Sequence, residues 1–433
     1  MAQREASHLS QAAQHVSLVR PYSVRLTPDN LQLVLQHCSG GTLESYCKQH
    51  RVSEDLACFF FHQLVAVLEH LHSSKIAYRD MKLQNVLLRS KPSRSSPPRL
   101  VLCDLGTAKA WTGQQMRCET FVGTPGFMAP QVLASMFNGL STPRTDASSD
   151  SSQHSRTSQS SSNTYDARKA DIWALGALLH YMLHRQLPYG YDSFAPLLPP
   201  QEALLTLLQL ENQHTWKDAA GAHGLQPISA EAQDLLDQLL HQDEQQRISI
   251  RRIKLHPWFN RPLPAQYAKA LKDMQQEQAA LSAAAACSAA DAASSAAQAR
   301  ELAGTAVDRL FELSRCPAAL QRLREQQQCL TVPLSSSGAD AELQQQLQRA
   351  LQRLDDAADA AGLLWGSIGI DNGAAVRSRS SVELRSRLCN ASGAALVQQP
   401  LKQQQQVQQL QPKEAPAPLS RDDTCFLVQV STA

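Results

Sequence analysis

The sequence predicts an α+β fold, with a truncated small β-sheet first, a mostly helical large lobe after it, and a low-complexity C-terminal tail. Three observations carry this. Near the start, two short apolar runs, Val19 to Arg25 and Leu31 to Cys38, flank the turn signal Thr27-Pro28-Asp29-Asn30, as strands of a hairpin do. From Ser53 to Leu255 apolar residues recur instead at helical spacing in several separate segments. Beyond Pro264 the chain turns rich in Ala and Gln. The expected divisions are 1–38 for a residual small lobe of a helix end, two strands and a hinge, 39–260 for the large lobe with its disordered insert 141–164, and 261–433 for a tail that is largely disordered or made of isolated helices.

Taken in order, the two strands form a marginal pair, because a two-stranded sheet needs packing and an unpaired edge invites association. The first Gly is Gly40 and the first Lys is Lys48. Thr42 is placed to cap a short helix reaching His50. Ser53 with Asp55 opens a strongly amphipathic helix carrying Leu56, Phe60, Leu64, Val67, Leu68 and Leu71 on one stripe. A Pro/Ser-rich basic turn, RSKPSRSSPPR, separates Leu88 from Leu100. The stretch 141–164 is too polar and monotonous to bury anything and reads as a disordered insert. Helices are expected over Arg168–His184, with Trp173, Leu175, Leu178 and Leu179 as core, then over Gln201–Leu210, Ser229–Leu240 and Ile248–Leu255. In the tail, Tyr267–Leu302 is helical on propensity alone but offers few large apolar residues. Ala341–Leu364 is better, since Leu343, Leu347, Leu351 and Leu354 form a stripe able to self-associate or to dock on the lobe.

The totals exclude several classes. At 433 residues and formal charge +2, no dominant nucleic-acid or membrane electrostatics is indicated. The ten Cys show no CxxC pair, which fits reduced thiols and no zinc site. Neither a leader peptide nor a membrane-spanning helix is expected, since no charged-then-apolar start and no membrane-length apolar run is read in the sequence. The expectation is an intracellular protein, cytoplasmic or nuclear.

The chemistry concentrates in Ala77 to Leu88, AYRDMKLQNVLL, which sets Asp80, Lys82 and Asn85 at fixed offsets before a short apolar strand. Each piece alone has an ordinary reading: an Asp-x-Lys is commonly a surface pair, an Asp-Leu-Gly a turn, an Asp in an apolar stretch a helix cap. Here they come in order. After the Asp-x-Lys-x-x-Asn spacing come Cys103-Asp104-Leu105-Gly106, then GTPGFMAPQ from Gly123 to Gln131, then Asp171-Ile-Trp-Ala-Leu-Gly176, then Arg247 within QRISI and His256-Pro-Trp-Phe259. This series resembles the large lobe of eukaryotic Ser/Thr protein kinases, with Tyr78 where His is usual and Leu105 where Phe is usual. The segments LTPDNLQLVLQHCSGGTL, YRDMKLQN, PPRLVLCD and RISIRRIKLHPWFNRPLP look most like the plant osmotic-stress-activated, calcium-independent kinases. The likeness covers about Glu5 to Pro264, and the chain beyond Pro264 is not acidic like their regulatory tails.

The resemblance implies roles. Asp80 would accept the proton of an attacking hydroxyl, Lys82 would offset phosphate charge, and Asn85 and Asp104 would hold Mg²⁺ on ATP. Leu35 would be the gatekeeper, and backbone groups of the hinge, Gln36 and Cys38 among them, would meet the adenine. Glu5 would be the small-lobe glutamate, with Leu9 one turn later behind the site. Thr120 would receive a phosphate from an upstream kinase, facing Arg79, and Thr124 would brace Asp80 and Lys82. Asp171 would anchor the catalytic loop. Gln131 departs from the family's Glu, whose counterpart is Arg247, which would loosen the substrate-binding segment. The Gly-rich strand and Lys-bearing strand of a complete small lobe are not found. Three readings stand: a kinase transferring phosphate from Mg-ATP to Ser/Thr of protein substrates, a pseudokinase scaffold, or part of a longer ordinary kinase.

Overall fold

In a computed structural model of the chain, the described residues are 5–6, 8–9, 12, 15–93, 96–113, 116–140, 164–217, 227–287, 292–334, 340–361 and 425–431. The insert expected over 141–164 falls outside them apart from Thr164.

Strand β1 (Pro21–Leu26) pairs antiparallel with β2 (Asn30–Gln36), from Leu26 opposite Leu31 to Pro21 opposite Leu35. The turn between them closes as the sequence implies: the Thr27 hydroxyl accepts the Asn30 N–H at 3.0 Å, and the Thr27 N–H donates to the Asn30 carbonyl at 2.9 Å. Strands β3 (Ile76–Ala77) and β6 (Lys109–Ala110) form one two-stranded pair, β4 (Val86–Leu88) and β5 (Leu100–Leu102) a second, and β7 (Arg117–Cys118) and β8 (Tyr165–Asp166) a third.

The large lobe is helical, and its caps are where the hydroxyls promised. Thr42 accepts from Ser45 N–H at 3.1 Å at the start of Leu43–Gln49, and Ser53 accepts from Leu56 N–H at 3.2 Å at the start of Glu54–Ser73. Helix Glu54–Ser73 buries Phe59, Phe60, Phe61, Leu64, Leu68 and Leu71 against Ala167–His184 and the chain around Trp258. Gly176 lets that second helix lie close to Ala230–Leu239, since a Cβ there would stand 2.8 Å from the Leu239 Cβ. No helix among the described residues is long and apolar enough to cross a membrane.

The tail departs from expectation. Its described part is packed, not isolated. Helix Ala265–Cys287 folds back on Glu54–Ser73, where Tyr267 stacks on Phe59 at 5.0 Å, and Glu277 bonds Arg89 and Arg99, which flank the basic turn. Farther on, β9 (Leu330–Pro333) pairs antiparallel with β1, and β10 (Cys425–Ser431) pairs antiparallel with β2. The small sheet is therefore four-stranded, in the order β10-β2-β1-β9, with both outer strands from beyond residue 264. Helices Ala292–Ser314 and Asp340–Ala360 pack on each other and on β9. The physical reason is the edge problem: two strands with apolar faces gain ladder hydrogen bonds and burial once flanked. Leu347 and Leu354 of the expected stripe are buried there, so the stripe docks within the chain.

Candidate active site

The site grows from the link between β3 and β4. After β3 the chain must turn sharply, and Arg79 does so with φ of 69°, a left-handed conformation that a non-Gly residue holds only when its surroundings impose it. The imposing group is Asp171, buried in helix Ala167–His184. Its carboxylate accepts the N–H of Tyr78 at 2.9 Å and of Arg79 at 2.7 Å, with His72 Nε2 at 2.8 Å. The expected anchor is thus in place. His72 as its third partner was not foreseen, for no local pattern separates it from the other histidines at the end of helix Glu54–Ser73.

Asp80 is next in the chain, with 8% of its surface exposed. One carboxylate oxygen accepts the Lys82 ammonium at 2.6 Å and Asn85 Nδ2 at 3.1 Å, and the other accepts the Thr124 hydroxyl at 2.8 Å. Lys82 Nζ also donates to Thr124 Oγ1 at 3.1 Å, and Asn85 Nδ2 to the Asp80 carbonyl at 3.1 Å. Asp80, Lys82 and Asn85, set together by their spacing, therefore meet, and Thr124, whose bracing role the resemblance implied, ties the loop to the segment ahead of Gln131. The Asp80 carboxylate is fixed by charge-assisted bonds in one orientation.

Asp104 joins through the backbone. Cys103 N–H donates to the Asn85 carbonyl at 2.9 Å, and the Tyr78 hydroxyl donates to the Cys103 carbonyl at 2.5 Å. Tyr78 is buried, and burial pushes its phenol well above its usual range, so it stays a neutral donor. The sequence signal for this tie was the replacement of His by Tyr. Asp104 sits at φ of 59°, and one of its oxygens accepts Gly106 N–H at 3.1 Å.

The donor set suits magnesium. Asp104 keeps one carboxylate oxygen and Asn85 its amide oxygen outside any hydrogen bond among the described residues, two hard oxygens of the kind that bind Mg²⁺ beside phosphate. No cluster of three or more His, Cys, Asp or Glu stands ready for a metal among the described residues, so a protein-only cage is not what this site offers.

Gln36 lies at the end of β2, its N–H given to the Arg20 carbonyl at 2.9 Å, while the N–H of buried Cys38 has no acceptor among the described residues. Burial pushes the Cys38 thiol up to about 11. Glu5 is buried beside Asp104 and Leu105; burial, and next the charge of Asp104, push its carboxyl up to about 7. It forms no ion pair with a Lys or Arg among the described residues. Leu9 is buried too.

In the activation segment Arg79 Nη1 donates to the Thr120 hydroxyl at 2.8 Å and its Nε to the Thr107 carbonyl at 2.8 Å, while the Tyr165 hydroxyl donates to the Thr120 carbonyl at 2.9 Å. Thr120 itself is exposed. Gln131 Oε1 accepts Arg247 Nη2 at 3.1 Å, the neutral substitute for the family's ion pair.

The chain is also similar in sequence to known proteins. Residues 1–259 match the family described as protein kinase domain. Among curated relatives, serine/threonine-protein kinase SAPK4 of Oryza sativa subsp. japonica is 30% identical over 261 residues, 60% of this chain and 61% of its own. Serine/threonine-protein kinase SRK2A of Physcomitrium patens is 33% identical over 253 residues, 58% and 60% of the two chains. Serine/threonine-protein kinase SRK2E of Arabidopsis thaliana is 32% identical over 253 residues, 58% of each. The chain spans about three fifths of the length of the curated relatives it matches.

Proposed function

Because the chain belongs to the protein kinase family, we propose that it transfers the γ-phosphate of ATP to Ser or Thr hydroxyls of proteins. The observation that carries this is the Asp80 carboxylate, held by Lys82, Asn85 and Thr124 within one hydrogen-bonded loop to which Asp104 is tied through Cys103.

In the proposed reaction Asp80 orients the substrate hydroxyl and takes its proton as the new O–P bond forms. The bond from the γ-phosphorus to the β,γ-bridging oxygen breaks, and ADP leaves with that electron pair. Lys82 offsets the charge on the moving phosphoryl group, and Thr124 keeps Asp80 and Lys82 in register. Asn85 and Asp104 are the residues that hold magnesium, which when bound neutralises phosphate charge. The N–H of Cys38, unbonded among the described residues, and the backbone of Gln36 offer the adenine edge a donor and an acceptor.

Arg79 and Thr120 suit a switch. A phosphate added to Thr120 by an upstream kinase gains charge-assisted bonds to a guanidinium already 2.8 Å from the hydroxyl, which orders the segment.

A second reading is a scaffold that holds nucleotide without transferring phosphate. Buried Glu5, with no Lys or Arg partner among the described residues, favours it, since no lysine of the described residues is paired with it as a kinase glutamate is with the lysine that meets the phosphates. Incubating the purified full chain with labelled ATP, Mg²⁺ and a Ser/Thr-containing protein separates the two. Transfer that drops about 10²–10⁴-fold in Asp80→Asn supports the kinase. Absence of transfer from the wild type, both unphosphorylated and phosphorylated at Thr120, supports the scaffold.

A further inference from the structure

Strands β4 and β5 form a hairpin whose register runs from Val86 opposite Leu102 to Leu88 opposite Leu100. The two residues proposed to hold magnesium hang from one end of it. Cys103 N–H donates to the Asn85 carbonyl at 2.9 Å just past Leu102, and Asp104 follows. At the other end the ladder runs one step further, where the Arg89 N–H donates to the Arg99 carbonyl at 2.9 Å. Two cationic residues thus stand opposite each other across the strands, an arrangement that drives them apart. The nine residues between them add Lys91 and Arg94 and no acid.

Relief comes from the tail. Glu277, on helix Ala265–Cys287, sets one carboxylate oxygen 3.4 Å from Arg89 Nη1 and accepts Arg99 Nη2 on the other. Among the described residues no other carboxylate is ion-paired with either arginine. The next residue, Gln278, accepts the Val16 N–H at 3.0 Å through its amide oxygen. Val16 leads into a segment that lies along the side of β5 away from β4: Leu102 N–H donates to the Ser17 carbonyl at 2.8 Å, and Val19 N–H to the Leu102 carbonyl at 2.9 Å. Two consecutive helix residues therefore hold β5 from both sides. This helix lies beyond residue 259, where the match to the kinase family stops.

We propose that Glu277 is a positioning residue for the magnesium site: standing between Arg89 and Arg99, it keeps the hairpin closed, and the closed hairpin holds Asn85 beside Asp104. What those two residues bind rests on the kinase reading; the closing of the hairpin does not. The Glu277 and Arg89 side chains are each 38% exposed, so their ion pair adds little to global stability. Its effect is on position. Strands this short have few ladder bonds to resist splaying, and the arginine end lies only about 13 Å from the Asn85 end.

The test titrates Mg²⁺ at fixed ATP on the full chain, reading the rise in Tm, alongside ligand-free amide exchange of residues 86–88 and 100–102. Glu277→Gln is expected to raise the Mg²⁺ concentration for half the Tm rise by about 3–10-fold and to speed exchange in both strands. Its ligand-free Tm stays within about 3 °C of wild type. Adding Arg89→Gln removes the opposed charges and is expected to return both readouts most of the way to wild type. A double variant no better than Glu277→Gln overturns the proposal, because the loss would then not be one of charge opposition. Unchanged exchange in Glu277→Gln overturns it too, as does faster exchange with an unchanged Mg²⁺ requirement, which would uncouple the hairpin from the metal residues. A wild type whose Tm ignores Mg-ATP defeats the kinase reading instead. Exchange then decides the hairpin clamp by itself: faster in Glu277→Gln and restored in the double variant upholds it, and any other pattern overturns it.

Discussion

The catalytic loop and the small sheet differ in where the chain finds their partners. Between Thr42 and Phe259 the structure closes through side chains that carry their own chemical signature: an Asp for two loop amides, a Thr for the Asp-Lys pair, a Ser or Thr at the start of Leu43–Gln49, Glu54–Ser73, Ala230–Leu239 and Ile250–Ile253. The sheet closes by ladder pairing, with β1 taking Leu330–Pro333 and β2 taking Cys425–Ser431 from the far end of the chain. Ladder hydrogen bonds are made by any residue but Pro, so the second kind of closure leaves little trace in local sequence. The first kind fixes geometry with a few costly buried groups; the second relies on area spread over many small contacts.

Removing the anchor should break the large lobe most. Asp171→Ala leaves two N–H groups and His72 without an acceptor in a buried site, and is expected to cost about 3–5 kcal/mol in denaturant unfolding. Truncating the packing of the tail should cost somewhat less and act elsewhere. Leu354→Ala on helix Asp340–Ala360 is expected to cost about 2–4 kcal/mol, with faster amide exchange in β1 and β2 and none added in the loop from Tyr78 to Asn85. If exchange rises equally in both regions, the contrast between them fails.

Acid should weaken the large lobe through a pair of histidines. Burial lowers His180 to about 3 and His184 to about 4, their rings lying 4.6 Å apart on helix Ala167–His184. The folded state then binds fewer protons than the unfolded one below pH about 6.5, so their contribution is complete above that pH and is lost as pH falls toward about 4. His184→Leu is expected to flatten the fall of Tm over that window. The smallest effect belongs to the caps: Ser53→Ala should cost about 1 kcal/mol, read as a shift in the urea midpoint without change of slope.

Much of the site was legible because its chemistry demands particular residue types at short range. Asp80, Lys82 and Asn85 lie within six residues and meet as their spacing implies, and Thr42 and Ser53 cap the helices they precede. The tail was misread for two physical reasons. Helix Ala292–Ser314 buries Ala303, Ala306, Val307, Leu310 and Leu313, and small side chains that allow close helix approach look like mere propensity when only large apolar residues are sought. Strand β9 has just four residues, of which Leu330 and Val332 turn inward, too short a run to announce a partner about three hundred residues away.

The claim beneath all of this is that Asn85 and Asp104 face one bound magnesium nucleotide across the loop that carries Asp80. Thermal unfolding of the full chain with millimolar ATP, with and without Mg²⁺, reads it directly. The account predicts a rise in Tm with Mg-ATP that shrinks in Asp104→Asn while ligand-free stability holds. An identical Tm for wild type with and without Mg-ATP would contradict it.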